Sequence, residues 1–359
     1  MNNIQIPQRG IYKEYAGAWD EISPKDAPYI GKCLYWLEQK EIDVDMFRKL
    51  VVDRLINRVN SANMPMQGDK AWDLWANEGQ LADTVNFFFK IRSPHQTSPM
   101  GGGLKNEAPP KSSPQGEDLK NASSGSGEEQ DGVASAAPRN DAETYEVIPN
   151  FVKNLVPEVK IGWFKYYGPD DFLGEMSFVE FKDLLYCADK WMKTKEVCWL
   201  DRMMAISYRR KQWFLGLKRM IPSRKFEKRV KYNPTLVDFR IKKFEKLDIG
   251  AKYMFFQYVM GCMYMMKTDA EGAGIELDGH ICNLSIVFDP KHKTKKEDGE
   301  PENEDVNEPD DGIGLSGVIM ALAESGVFGN IDRTAEANVW DVITRLYQLE
   351  LQRREFDRK

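Results

Sequence analysis

The residues that could do chemistry in this chain fall into four groups. The first is cationic. Between Arg202 and Lys246 there are 15 Lys and Arg against three acids, Glu227, Asp238 and Glu245. Aromatic side chains are interleaved with them: Tyr208, Trp213, Phe214, Phe226, Tyr232, Phe239 and Phe244. Cations that meet phosphates, set among rings that stack on bases, make the composition of a single-strand or phosphate-backbone surface. Arg209, Arg210, Lys211, Lys218, Arg219, Arg224, Lys225, Lys228 and Arg229 are its candidate contacts with nucleic acid or with an acidic partner. The competing explanation is internal: a local charge of +12 can pair with acids of the same chain.

The second group is a run of methionines, Met254, Met260, Met263, Met265 and Met266, within the most apolar window of the sequence, Tyr253–Met266. Thioethers on flexible stems make an adaptable surface for a partner helix, or the filling of an ordinary core. The window is short of the roughly 20 apolar residues that a spanning helix needs. It is read as a buried helix, with no membrane association.

The third group is glycine-rich. Gly312-Ile-Gly314-Leu-Ser-Gly317 has the spacing of a dinucleotide-binding turn, but it follows an acidic stretch where a buried strand is required. A flexible lead into a helix is the better reading. The fourth group consists of ligating and nucleophilic side chains. The three histidines, His95, His280 and His292, are scattered, and His280-Ile-Cys282 has no second pair to complete a tetrahedral set. The five cysteines form no CxxC pair, and they read as reduced thiols of a cytoplasmic protein. The opening residues, MNNIQIPQRG, lack a basic segment followed by an apolar run, so no signal sequence is expected. No catalytic residue, cofactor site or metal site is nominated.

These groups must be positioned by a chain of 359 residues with net charge −6 and 42% hydrophobic residues. Ser93–Asp141 has no aromatic residue and holds 21 Gly, Pro and Ser in 49 positions, a composition that cannot offset its ordering entropy. Residues 290–311 open basic and then carry nine acids without a base from Glu297 to Asp311. Both are expected to be long disordered insertions. The pieces between them are an N-terminal helical lobe (1–92), a central helical lobe with the basic segment (142–289) and a C-terminal helical piece (312–359). The last is too small for a core of its own and is expected to pack on another lobe.

The fold class is mainly α with a small β component (α+β). Ser23-Pro24 predicts a helix start, as does Asp43 before Val44, Phe47, Leu50, Val51 and Leu55. A third stripe runs from Trp72 to Phe88. Ser177 and Glu180 have capping-box spacing ahead of Phe178, Phe181, Leu184, Leu185, Ala188 and Trp191. Asp332 to Phe356 reads as one amphipathic helix. Ile4–Ile6, Val159–Tyr167 and Ile281–Phe288 are candidate strands.

Several fragments, taken in order, carry a resemblance. They are Ile4–Tyr15, Trp19–Pro24, Ile148–Leu155, Tyr167–Asp170, Leu200–Arg209 and Ala323–Gly329. The chain resembles a group of proteins from phages and prophages of Bacteroidales bacteria that is encoded among tail-assembly genes. The resemblance implies a non-enzymatic role in tail morphogenesis inside the bacterial cytoplasm. The partner would be another phage structural protein: a tape-measure protein held by an assembly chaperone, or a tail subunit. The alternatives are a nucleic-acid-binding accessory protein built on the basic 202–246 segment, and a tail or connector subunit that stays in the particle.

Overall fold

The computed structural model describes residues 1–6, 11–56, 81–92, 144–212, 228–268, 275–277, 280–288 and 314–357. Its described elements are mainly helical, with four two-stranded sheets. The chain divides into two units, Met1–Phe88 with Val147–Lys359, and Phe89–Glu146. The described ends of the smaller unit are β3 (Phe89–Arg92) and part of β4 (Thr144–Val147), which pair with each other. The insertions 93–141 and 290–311 lie outside the described residues.

The larger unit begins with the antiparallel pair β1 (Asn2–Ile6) and β2 (Ile11–Tyr15), in register Asn2 to Tyr15. Then come α1 (Ala27–Glu38) and α2 (Val44–Leu55). Asp43 caps α2 by accepting from the backbone N–H of Met46 at 2.8 Å. Helix α1 starts three residues later than Ser23-Pro24 predicts. Ser23 is used in a turn, its hydroxyl accepting from the Lys25 N–H at 3.2 Å, and Pro28 sits in the first turn of the helix instead. Of the predicted third helix Trp72 and Trp75 lie outside the described residues, and Leu81, Val85 and Phe88 do not share one helix: the chain turns at Thr84–Val85, enters a 3-10 turn at Asn86–Phe88 and leads into β3, with Val85 and Phe88 buried.

After β5 (Glu158–Ile161) and β6 (Phe164–Tyr167) come α3 (Phe178–Thr194) and α4 (Val197–Ser207), then α5 (Val237–Phe244) and α6 (Ile249–Lys267). Helix α6 is the centre of the core. Fourteen of its 19 residues are buried, which is why its apolar run is continuous rather than striped. It packs most closely on α1, where Gly31 and Gly250 let the two backbones touch. A Cβ on Gly31 would overlap the Gly250 carbonyl oxygen, and one on Gly250 would overlap that of Pro28. Around this crossing Tyr35, Trp191, Tyr253 and Phe256 form a chain of ring contacts, with centroids 5.6–6.2 Å apart.

Three predicted elements come out differently. Val159–Tyr167 is a hairpin, not one strand. Gly162 takes φ +57° at the first position of a two-residue turn, which reverses the chain and pairs Ile161 with Phe164. Ile281–Phe288 divides into β8 (His280–Cys282), paired with β7 (Ile275–Leu277), and the short helix α7 (Ser285–Phe288). Asn283 makes the change, its side-chain oxygen accepting from the Ser285 N–H at 2.9 Å.

The C-terminal piece begins with α8 (Gly314–Glu324), and the helix predicted from Asp332 is broken into α9 (Ile331–Glu336) and α10 (Val339–Asp357). The break is where this stretch ties its backbone to the start of α3. Ala337 O accepts from Phe178 N and Met176 O from Val339 N, both at 2.9 Å.

Between β6 and α3 the chain passes through Phe172, Leu173 and Glu175, all at φ between +52° and +58°. Each costs on the order of 1–3 kcal/mol. Tyr258 of α6 holds the turn closed, accepting from Leu173 N at 2.7 Å and donating to Asp170 O at 2.8 Å. Trp340 of α10 donates to Phe172 O at 2.9 Å.

Candidate functional site

The basic segment divides into an interior part and a surface part. The interior part centres on Glu180, in the first turn of α3. Ser177 caps that turn as its spacing predicts, accepting from Glu180 N at 3.4 Å. The Glu180 carboxylate, however, is fully buried and engaged by two arginines. Arg209 Nη2 donates to Oε2 at 2.7 Å and Arg229 Nη1 to Oε1 at 3.0 Å. Arg229 also donates to Ser207 O at 2.7 Å and Glu175 O at 3.0 Å. The guanidinium of Arg209 faces the ring of Tyr232, whose hydroxyl donates to Asp183 at 2.6 Å. Burial drives the Tyr232 phenol far above its usual value, and the Asp183 carboxylate adds to the effect.

This corrects the nomination of Arg209 and Arg229 as ligand contacts. They are 2% and 1% exposed, because each must satisfy half of a buried carboxylate. Lys228 is exposed but already grips the Asp170 carboxylate at 3.0 and 3.1 Å. Elsewhere in the segment Arg202 pairs with Asp238 at 3.1 Å, and Lys231 pairs with Glu336. Lys218, Arg219, Arg224 and Lys225 lie outside the described residues.

Arg210 and Lys211 face solvent. They belong to a ladder that continues from the hairpin. Tyr167 exchanges two backbone hydrogen bonds with Arg209, at 2.8 and 3.1 Å, and Lys211 bridges to Arg229. Alternation along this ladder gives neighbours opposite fates: Arg209 turns to Glu180, while the guanidinium of Arg210 lies 3.8 Å from the centre of the Phe164 ring. Phe164 is half exposed, and Trp163 beside it, at the second position of the turn, is 95% exposed. Neither was nominated from sequence. The Gly162-Trp163 pair was the available signal, hidden inside what reads as one continuous strand.

The methionine run is corrected in the same way. Met254, Met263 and Met266 are buried in the core that α6 organises, and Met260 and Met265 are only partly exposed. A further exposed apolar surface lies in the C-terminal piece. Met320 of α8, Val327 of the following turn and Ile331 of α9 are each about half exposed. Met320, Ala323 and Ile331 line an open groove with Glu324, Asn330 and Asp332 on its rim.

No family model, curated protein or solved structure matches the chain.

Among the described residues no cluster of three or more His, Cys, Asp or Glu is placed to hold a metal ion, and no helix is long and apolar enough to cross a membrane. Gly312 lies outside the described residues and α8 begins at Gly314. All five cysteines are free thiols, and Cys198 is the exposed one. Burial pushes the Cys33 thiol up to about 11 and that of Cys187 up to about 12, from an ordinary value of 9.0. Cys262 is raised further. The Cys198 thiol is also raised, by partial burial and the Glu196 carboxylate, so a thiol reagent at pH 8 is expected to modify it first but more slowly than a free thiol, and the others only with unfolding, which a timed Ellman titration with and without denaturant reads directly. The sign for stability follows from linkage. The folded chain keeps these protons to higher pH than the unfolded chain, so stability falls as pH rises from about 9 towards 11.

Proposed function

We propose that this protein is a non-enzymatic phage tail-assembly factor that binds an amphipathic helix of another tail protein, with the tape-measure protein as the leading partner. The observation that carries the reading is the apolar groove of Met320, Ala323 and Ile331 between α8 and α9. Apolar side chains left in water at a helix–helix corner suit an i, i+3, i+4 stripe from a partner helix. The acidic rim, Glu324 and Asp332, favours a partner with Lys or Arg flanking that stripe. The tail-assembly setting rests on the resemblance of the six fragments described above.

Co-expression with a phage tape-measure protein tests the reading. The expected result is a soluble complex that co-purifies, weakened about ten- to hundredfold by Met320→Glu or Ile331→Glu, since each side chain buries roughly 1.5–3 kcal/mol of apolar surface. A complex that both variants form as tightly as the wild type removes the groove from the account. An insoluble tape-measure protein removes the chaperone. Mass spectrometry of purified particles distinguishes a departing chaperone from a resident tail or connector subunit.

A further inference from the structure

We propose that the tip of the β5–β6 hairpin, together with Arg210, is a binding site for single-stranded nucleic acid. It is built on elements other than the α8–α9 groove and does not depend on that reading. Three observations converge on it. The first is the placement of Trp163. A hairpin in strict register from Glu158–Tyr167 to Ile161–Phe164 holds the indole at its outermost point, 95% exposed. Among the described residues no contact accounts for so large an apolar surface in water, and a base stacked on it would.

The second is the Phe164–Arg210 pair. Val159 and Tyr166 are buried on the inner face of the hairpin, and Phe164 continues that face beyond the core. The Arg210 guanidinium, 3.8 Å from the centre of its ring, adds a planar cation next in the chain fold to the turn that carries Trp163. Such a surface offers stacking to a base and charge to its phosphate in one place.

The third is a cost. Lys160 and Lys165 stand directly opposite each other in the ladder, both exposed. Like charges so placed disfavour the pairing. Glu158, 2.8 Å from Lys165, offsets one of them. Among the described residues Lys160 and Lys211 have no acidic partner, and from the face opposite Phe164 and Arg210 they add positive potential around the hairpin without belonging to the ring site.

An acidic peptide would satisfy the cations but would leave the indole without a stacking partner, so the aromatic pair favours nucleic acid. Arg210 is the cation on the face of the rings, while alternation puts Lys160 and Lys211 on the other face of the ladder, so binding to a single strand should fall with salt at a log–log slope of roughly −0.7, that of one phosphate contact.

The test is fluorescence anisotropy of the full chain with a short fluorescein-labelled oligothymidylate, titrated at several salt concentrations. Binding at low salt with that slope is expected, weaker for a duplex of the same length. Trp163→Ala and Arg210→Ala should each reduce affinity about tenfold, with unchanged thermal melting, since both side chains are exposed. Arg210→Lys should recover part of the loss, and Lys25→Glu, outside the hairpin and its ladder, none of it should produce. The proposal is overturned by no binding at low salt, by Trp163→Ala binding as tightly as wild type, or by polyglutamate displacing the oligonucleotide as effectively as unlabelled oligothymidylate. The last result would assign the surface to an acidic protein.

Discussion

Glu180→Gln is expected to destabilise the protein by about 3–5 kcal/mol, read as a lowered midpoint in urea unfolding. The glutamine matches the carboxylate in shape but not in charge. It leaves two guanidiniums in the interior, 2% and 1% exposed, without the anion that both of them face. Desolvating a cation costs several kcal/mol, and the hydrogen bonds to Ser207 O and Glu175 O offset that only in part for Arg229. Replacing Glu180, Arg209 and Arg229 together by Leu and Met should cost far less than Glu180→Gln alone, because no buried charge then remains. If the single variant loses under 1 kcal/mol, the node contributes position rather than stability.

The second large effect is expected at the α1–α6 crossing. Gly250→Ala in an exposed helix would stabilise it by about 1 kcal/mol through helix propensity. Here the sign reverses. The added Cβ would overlap the Pro28 carbonyl oxygen and stand 2.7 Å from Lys32 N. Neither atom is the movable end of a side chain, so α1 must shift bodily off the core helix. Overpacking of this kind costs about 3 kcal/mol. Gly31→Ala should behave alike, since its Cβ would overlap the Gly250 carbonyl oxygen and approach Met254 Cβ at 2.8 Å. Thermal melts of the two single variants and the double variant should show less than additive losses, because either change alone already separates the helices.

The helices carried by regular patterns are legible in the sequence: α2 with Asp43, α3 with Ser177, and α6 as a continuous apolar run that must be interior. What escapes the sequence is the fate of individual charges. Arg209 and Arg210 are adjacent and chemically identical, yet one is interior and the other stacks on Phe164 in solvent. The difference arises from a ladder with Tyr167, 42 positions earlier, which no local spacing encodes. Glu180 reads as the second half of a capping box, and the partners that outcompete the cap lie 29 and 49 residues away. The hairpin tip was missed for a local reason. Val159 to Tyr167 is aromatic and β-branched on both sides of Gly162, so the turn is masked by the strands it joins. The break between α9 and α10 likewise depends on backbone partners at Met176 and Phe178.

The close crossing of α1 and α6 also sets a schedule for synthesis. Helix α1 ends at Glu38 and α6 begins at Ile249, so 210 residues separate a helix from the surface it was shaped to meet. At roughly 5–20 residues per second, the ribosome delivers that surface about 10–40 s after α1 has emerged. For that interval Ile30, Cys33 and Leu34, all buried in the finished protein, have no native cover from α6. Any treatment that slows elongation lengthens the period in which this early helix is open to the wrong partner.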